Sequence, residues 1–100
     1  MIFSGLPGAK IAAGFSSRSF GNMSLCYGDT KDSLPNRKKF LRKLGIDYRD
    51  LICAKQSHGN SVELATGAHK GRGALSYESS IVDTDAFITC AKNTPLAIFT

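Results

Sequence analysis

The tetrapeptide Gln56-Ser57-His58-Gly59 carries the most usable chemistry in this chain. Neutral imidazole is a common zinc ligand, and a glycine beside it lets backbone approach closely. At the end of a predicted strand, such a turn would project the ring into a cleft. A lone histidine in a strand-end turn also serves as a hydrogen-bonded structural residue, so the tetrapeptide alone decides nothing. His69, within Gly67-Ala68-His69-Lys70-Gly71, has no partner at metal-ligand spacing and reads as an exposed loop residue. A two-histidine site from His58 and His69 would require that loop to fold back.

Three further groups could bind or position a substrate. Gly14-Phe15-Ser16-Ser17-Arg18 places a guanidinium and two hydroxyls just after a predicted strand. Arginine forks match phosphate and carboxylate geometry, which makes Arg18 a candidate anion ligand as well as an ordinary surface residue. Asn36-Arg37 opens a predicted helix, where an amide sits near the positive end of the dipole. Asp83-Thr84-Asp85 offers either a carboxylate supporting a site from outside or a turn cap. There is no GxSxG elbow and no GxxxxGK[ST] phosphate loop, and Gly71-Arg72-Gly73 is too short for a dinucleotide fingerprint.

These residues need elements to hold them. The clearest is a helix over residues 34–44: Asp32 and Ser33 are N-cap types, Pro35 suits a first turn, and Gly45 stands where a helix-ending glycine belongs. Phe40, Leu41 and Leu44 share one face of it. Ile11–Ser16 reads as a strand, and residues 21–29 as an irregular turn with a short strand around Met23, Leu25 and Tyr27. Leu51–Lys55, Ser61–Ala65, Asp85–Cys90 and Leu96–Thr100 read as further strands, the last two joined by a turn over residues 92–95. Residues 66–80 are rich in Gly and Ser and read as a long surface loop. One helix among five or six strands predicts an α/β (α+β) fold built on a mixed sheet.

Composition narrows the class. The chain has 100 residues, 42% of them hydrophobic and 21% charged, the profile of an ordinary globular domain or a piece of one. No apolar run approaches the roughly 20 residues needed to span a bilayer, and Met1–Lys10 shows no signal-peptide pattern. A cytoplasmic location is expected. Cys26, Cys53 and Cys90 form no CxxC pair or disulfide framework and are expected as three buried thiols. The net charge of +5 includes a run of Arg37, Lys38, Lys39, Arg42 and Lys43, expected as the solvated face of the helix. A basic nucleic-acid-binding module is the alternative, but the one aromatic within the run, Phe40, belongs to the apolar face of the helix and makes no stacking platform.

The order of the fragments says more than any one of them. Gly14-Phe15-Ser16-Ser17-Arg18 is followed by Met23-Ser24-Leu25, Gly28-Asp29, Asn36-Arg37, Gln56-Ser57-His58-Gly59, Thr84-Asp85-Ala86-Phe87-Ile88-Thr89 and Pro95-Leu96-Ala97-Ile98-Phe99-Thr100. This succession resembles the YfiH family, also called laccase-domain or polyphenol-oxidase-like proteins. Within the match, Phe20-Gly21 stands where the family has a glycine pair, and Ser24-Leu25-Cys26 where it has S-L-N. The loop from Arg18 to Ser24 is also shorter, and these departures touch a segment that borders the expected substrate pocket.

The resemblance implies a layered mixed-sheet α/β sandwich, of which residues 1–100 would be the amino-terminal part of a single domain. It also implies a zinc ion held by the histidine of Q-x-H-G, the cysteine of a later A-D-C element and a later histidine. His58 corresponds to the first. The A-D-C element would follow Thr100, so the polypeptide is expected to continue, and Cys90 is not its cysteine. The implied activity is zinc-dependent phosphorolysis of purine nucleosides (adenosine, inosine and methylthioadenosine), with adenosine deamination. Purine nucleoside and phosphate are then the partners, and Arg18 and Asn36 are candidates to hold phosphate or ribose beside His58. The laccase label makes copper-dependent polyphenol oxidation an alternative, although multicopper sites need many histidines and this sequence has two.

Overall fold

A computed structural model of the chain describes residues 14–99. Its one α-helix, α1, spans Ser33–Lys43, one residue ahead of the expected range at both ends. The stop is local in origin. Gly45 takes φ +72, Gly45 N–H donates to Arg42 O, and Ile46 N–H reaches back to Leu41 O at 3.0 Å. These are the paired bonds of a glycine-terminated helix end. The start differs from expectation. Neither Asp32 nor Ser33 caps it with a side chain; Ser33 is buried and donates its hydroxyl to Ser24 O instead.

Leu41, Phe40 and Leu44 turn inward from α1 onto the segment 51–54, all four residues of which are buried. Alternation along this extended segment divides the core in two, because successive side chains point to opposite faces. Leu51 and Cys53 pack with Leu41 and Ala74 on the helix side. Ile52, fully buried, packs with Ala65 and Ile81 on the other. Burial on both faces explains why the run Leu51-Ile52-Cys53-Ala54 has no polar residue in it.

The strands are shorter and fewer than the sequence suggested. Strand β1 (Val62–Leu64) pairs in parallel with β2 (Ala86–Ile88), in the register Val62 to Ala86, Glu63 to Phe87 and Leu64 to Ile88. The segment 51–55 is extended, yet it forms only isolated parallel bridges, Ile52 with Leu96 and Ala54 with Ile81. Its backbone partners explain this. Ile52 bonds to Pro95 and Ala97, Cys53 to Arg72 and Ile81, and Lys55 to Ile81. Three separate segments share the work that one ladder would do. The result is a mixed α/β arrangement of one helix over short parallel pairings.

Besides residues 51–55, three expected strands are absent within the described residues, and residues 96–99 form only the isolated bridge at Leu96. Around Met23, Leu25 and Tyr27, side chains take the backbone groups that a ladder would need. Asn22 Nδ2 donates to Tyr27 O and Asp29 O, and Ser24 Oγ accepts from Cys26 N–H and Tyr27 N–H. Residues 14–16 form no strand; the rest of the Ile11–Ser16 expectation lies outside the described residues, as does Thr100.

Residues 66–80 also depart from expectation, since they are not a surface loop throughout. They hold two 3-10 turns, Gly67–His69 and Tyr77–Ser79, and bury Gly73, Ala74 and Ser80. Gly73, at φ +82, lies so close to Cys53 and Ser80 that an added Cβ would sit 2.7 Å from each. Among the described residues no helix is long and apolar enough to cross a membrane.

Candidate functional site

The Gln56-Ser57-His58-Gly59 turn leaves the buried segment 51–54 and is fixed at several points before β1 begins. Gln56 Oε1 accepts from Phe99 N–H at 2.9 Å. Thr84 N–H donates to Lys55 O, and Asp85 N–H and Ala86 N–H both donate to Ser61 O. The Asp85 carboxylate then gathers the turn itself. It accepts from Ser57 N–H at 2.8 Å, Ser57 Oγ–H at 2.6 Å, Gly59 N–H at 3.0 Å and Ser61 N–H at 3.3 Å.

This answers the question the sequence left open about Asp83-Thr84-Asp85: Asp85 caps the turn that carries His58. The Ser57 hydroxyl bond foremost, together with the three backbone N–H donors, holds the carboxyl at about 2, below its ordinary 3.8. Asp85 is therefore ionised throughout the neutral range.

The conformation at the centre of the turn corrects one expectation. Gly59 was expected to permit a close backbone approach, yet the unusual backbone belongs to His58, at φ +58. Gly59 is not in that region, and an added Cβ there would make only ordinary contacts, at 3.5 Å from Asp85 Oδ2 and 3.7 Å from Ser57 Oγ. A non-glycine residue in the left-handed region is uncommon and costs on the order of 1 kcal/mol, so it persists where the surroundings over-determine it. The donors on both sides of His58 do so. His58 is exposed and lies on a broad open face shared with Gln56, Asp85, Tyr77 and Phe99.

The other candidates lie apart from this turn. Arg18 begins a short 3-10 turn, Arg18–Phe20, is exposed, and is not on that open face. Asn36 is half-buried on α1 and likewise off that face; its Nδ2 donates to Asn22 O at 2.8 Å, so its amide holds the 21–23 segment. His69 is not a free loop residue: its Nδ1 accepts from Thr66 N–H at 2.9 Å and closes a capping box on a 3-10 turn.

The basic run also needs correction. Lys38, Lys39, Arg42 and Lys43 are exposed, but Arg37 is only 3% exposed. Its guanidinium donates to Met23 O, Gly73 O and Ala74 O at 2.7–2.8 Å, binding two separate segments to α1. An arginine inside a basic run, with no acid three or four residues away, gave no local signal of such burial. The cysteines divide as well: Cys53 is buried, whereas Cys26 and Cys90 are exposed. Burial pushes the Cys53 thiol up to about 11, with the Arg37 charge opposing, so it stays protonated and unreactive near neutral pH.

The donor set fits one metal-ligand position. His58 presents an imidazole from a rigid turn into open space, while among the described residues no three His, Cys, Asp or Glu side chains are grouped to hold an ion. Further ligands for a metal at His58 would come from outside residues 14–99.

The described residues thus form a mixed α/β frame with an exposed histidine on a carboxylate-clamped turn. The profile of the family described as multi-copper polyphenol oxidoreductase laccase matches residues 10–100, and the chain belongs to this laccase-domain, or YfiH, family. It is similar to purine nucleoside phosphorylase YlmD of Bacillus subtilis (strain 168), with 28% identity over 99 residues covering 89% of this chain. YlmD of Geobacillus stearothermophilus is 27% identical over 78 residues covering 77% of it. The chain spans 36% and 28% of the lengths of these two relatives.

Solved structures agree on the fold. The crystal structure of YlmD from Geobacillus stearothermophilus matches 68% of this chain and 26% of that one, with a TM-score of 0.64 and 28% identity. Bacillus licheniformis hypothetical protein YfiH matches 77% of this chain and 29% of its own, with a TM-score of 0.73 and 28% identity.

Proposed function

We propose that this chain supplies the histidine-bearing part of a zinc-dependent purine nucleoside phosphorylase that also deaminates adenosine. The observation that carries the proposal is the placement of His58. It stands exposed at φ +58 on a turn clamped by Asp85, on a broad open face, in a chain whose relatives are named purine nucleoside phosphorylase.

In phosphorolysis a phosphate oxygen replaces the purine nitrogen at the ribose anomeric carbon, and the departing base takes up a proton. In deamination water replaces the purine amino group, and ammonia leaves. Zinc, when bound, would polarise an oxygen nucleophile or lower the pKa of water from about 15.7 towards 7. Zinc with three protein ligands and one open position is the catalytic type, and His58 would be one of the three. Arg18, exposed and charged but apart from the His58 turn, is the residue proposed to hold phosphate. Asn36 would act on ribose only by giving up its bond to Asn22, so its proposed part is to shape the segment next to the pocket. Adenosine, inosine and methylthioadenosine are the proposed nucleosides.

Copper-dependent phenol oxidation is the second reading, favoured by the family's name. The sequence offers His58 and His69 for it, and His69 is already engaged as a cap. The deciding experiment measures bound metal in the whole protein and the turnover of adenosine and inosine with and without phosphate. Stoichiometric zinc and phosphate-dependent release of free base are expected, both lost in His58→Ala. Stoichiometric copper with phenol oxidation, or full activity in His58→Ala, would overturn the proposal.

A further inference from the structure

We propose that Asp85 is the positioning residue that sets His58 for metal, an inference that rests on the zinc reading above. Four donors converge on its carboxylate: Ser57 N–H, Ser57 Oγ–H, Gly59 N–H and Ser61 N–H. They flank His58 on both sides, so the residue between them is fixed by the backbone on either hand. The pairing is reciprocal, since Asp85 N–H and Ala86 N–H return to Ser61 O and tie the start of β2 to the same turn.

The arrangement matters because His58 has little else to orient it. Its side chain is exposed, and its backbone lies in the left-handed region, which only a few per cent of non-glycine residues occupy. A turn free to relax to negative φ would swing the imidazole away from that open face. Ordering the turn afresh on each binding event would then subtract from metal affinity, whereas a turn already held in place binds without that cost. Ser57, Gly59 and Ser61 all present donors, so only an acceptor with no hydrogens of its own can receive the whole set. A carboxylate does; an amide replaces one oxygen with an NH2 that opposes the donors.

The test uses the whole protein and zinc itself. Zinc affinity is measured by chelator competition in wild type, Asp85→Asn, Ser57→Ala and His58→Ala, and amide exchange at residues 57–61 is followed in the metal-free proteins. Asp85→Asn is expected to weaken zinc binding by about 10- to 100-fold, the range found when groups supporting a metal ligand are removed. Exchange at Ser57, Gly59 and Ser61 should quicken while amides in α1 keep their protection. Ser57→Ala removes one bond of the four and should give a smaller weakening in the same direction, which keeps the test decisive if Asp85→Asn fails to fold. Wild-type affinity in both variants, with zinc lost from His58→Ala, would overturn the role of Asp85 and leave His58 as a ligand. Zinc retained by His58→Ala would overturn both.

Discussion

The guanidinium carbon of Arg37 lies 5.1 Å from the centre of the Phe99 ring, so the helix face and the last apolar segment meet through a cation and an aromatic. The same group holds the carbonyls of Met23, Gly73 and Ala74. Phe99 in turn donates its N–H to Gln56 Oε1, at the base of the His58 turn. Arg37 and the candidate site are thus two contacts apart.

Replacing Arg37 with Met should therefore cost about 3 kcal/mol. It keeps an apolar stem but leaves carbonyl acceptors without their donor, each worth roughly 1–3 kcal/mol when buried and unpaired. Arg37→Lys should recover only part of the loss, because one ammonium cannot reproduce a planar fork that reaches three carbonyls on two segments. Urea unfolding measures both; a loss under about 1 kcal/mol for Arg37→Met would remove Arg37 from this role.

Two glycines in the same stretch should respond in opposite ways. Gly73→Ala combines a strained φ of +82 with contacts at 2.7 Å to Cys53 Cβ and Ser80 Oγ, and should destabilise by roughly 2–4 kcal/mol. Gly67 has nothing within 4 Å of an added Cβ, and Gly67→Ala should stay within about 0.5 kcal/mol of wild type. Thermal melts of the two variants, side by side, test whether residues 66–80 are built into the core.

Acid should release the Asp85 clamp in a defined window. Its pKa in the folded protein is about 2 against an ordinary 3.8, so its contribution is complete above the ordinary carboxylate range. It is lost as pH falls from about 4 through about 2, because the unfolded chain takes up the proton first. Melting temperatures of wild type and Asp85→Asn should converge over that interval. A gap that stays constant down to pH 2 would contradict the clamp.

Thiol labelling should separate the three cysteines. Cys26 and Cys90 are exposed, whereas Cys53 is buried with its thiol pushed up to about 11. Iodoacetamide at neutral pH should modify Cys26 and Cys90 in the native protein, and Cys53 only after denaturant is added. Mass mapping that finds Cys53 modified as fast as Cys26 would contradict the packing around Arg37.

Much of the frame was legible in the residues because its signals are local. The spacing of Phe40, Leu41 and Leu44 and the glycine at 45 mark a helix within one residue of its observed limits. The apolar run 51–54 marks a buried extended segment, and the ordered motifs from Gly14 to Phe99 mark the family that the comparisons bear out.

What only the tertiary structure decided depends on partners far apart in the chain. Asp85 reaches Ser57 across 28 positions and Arg37 reaches Gly73 across 36, and no periodicity encodes either meeting. A carboxylate before an apolar strand reads as a cap until the turn it caps is known. A cation in a basic run reads as solvated until carbonyls from other segments close around it. The strands around Met23, Leu25 and Tyr27 failed for a related reason: alternation records which side chains seek burial, but Asn22 and Ser24 had already taken the backbone groups. Sequence marked the helix, the buried run and His58 as a candidate; the fold chose which distant acceptor holds the His58 turn in place.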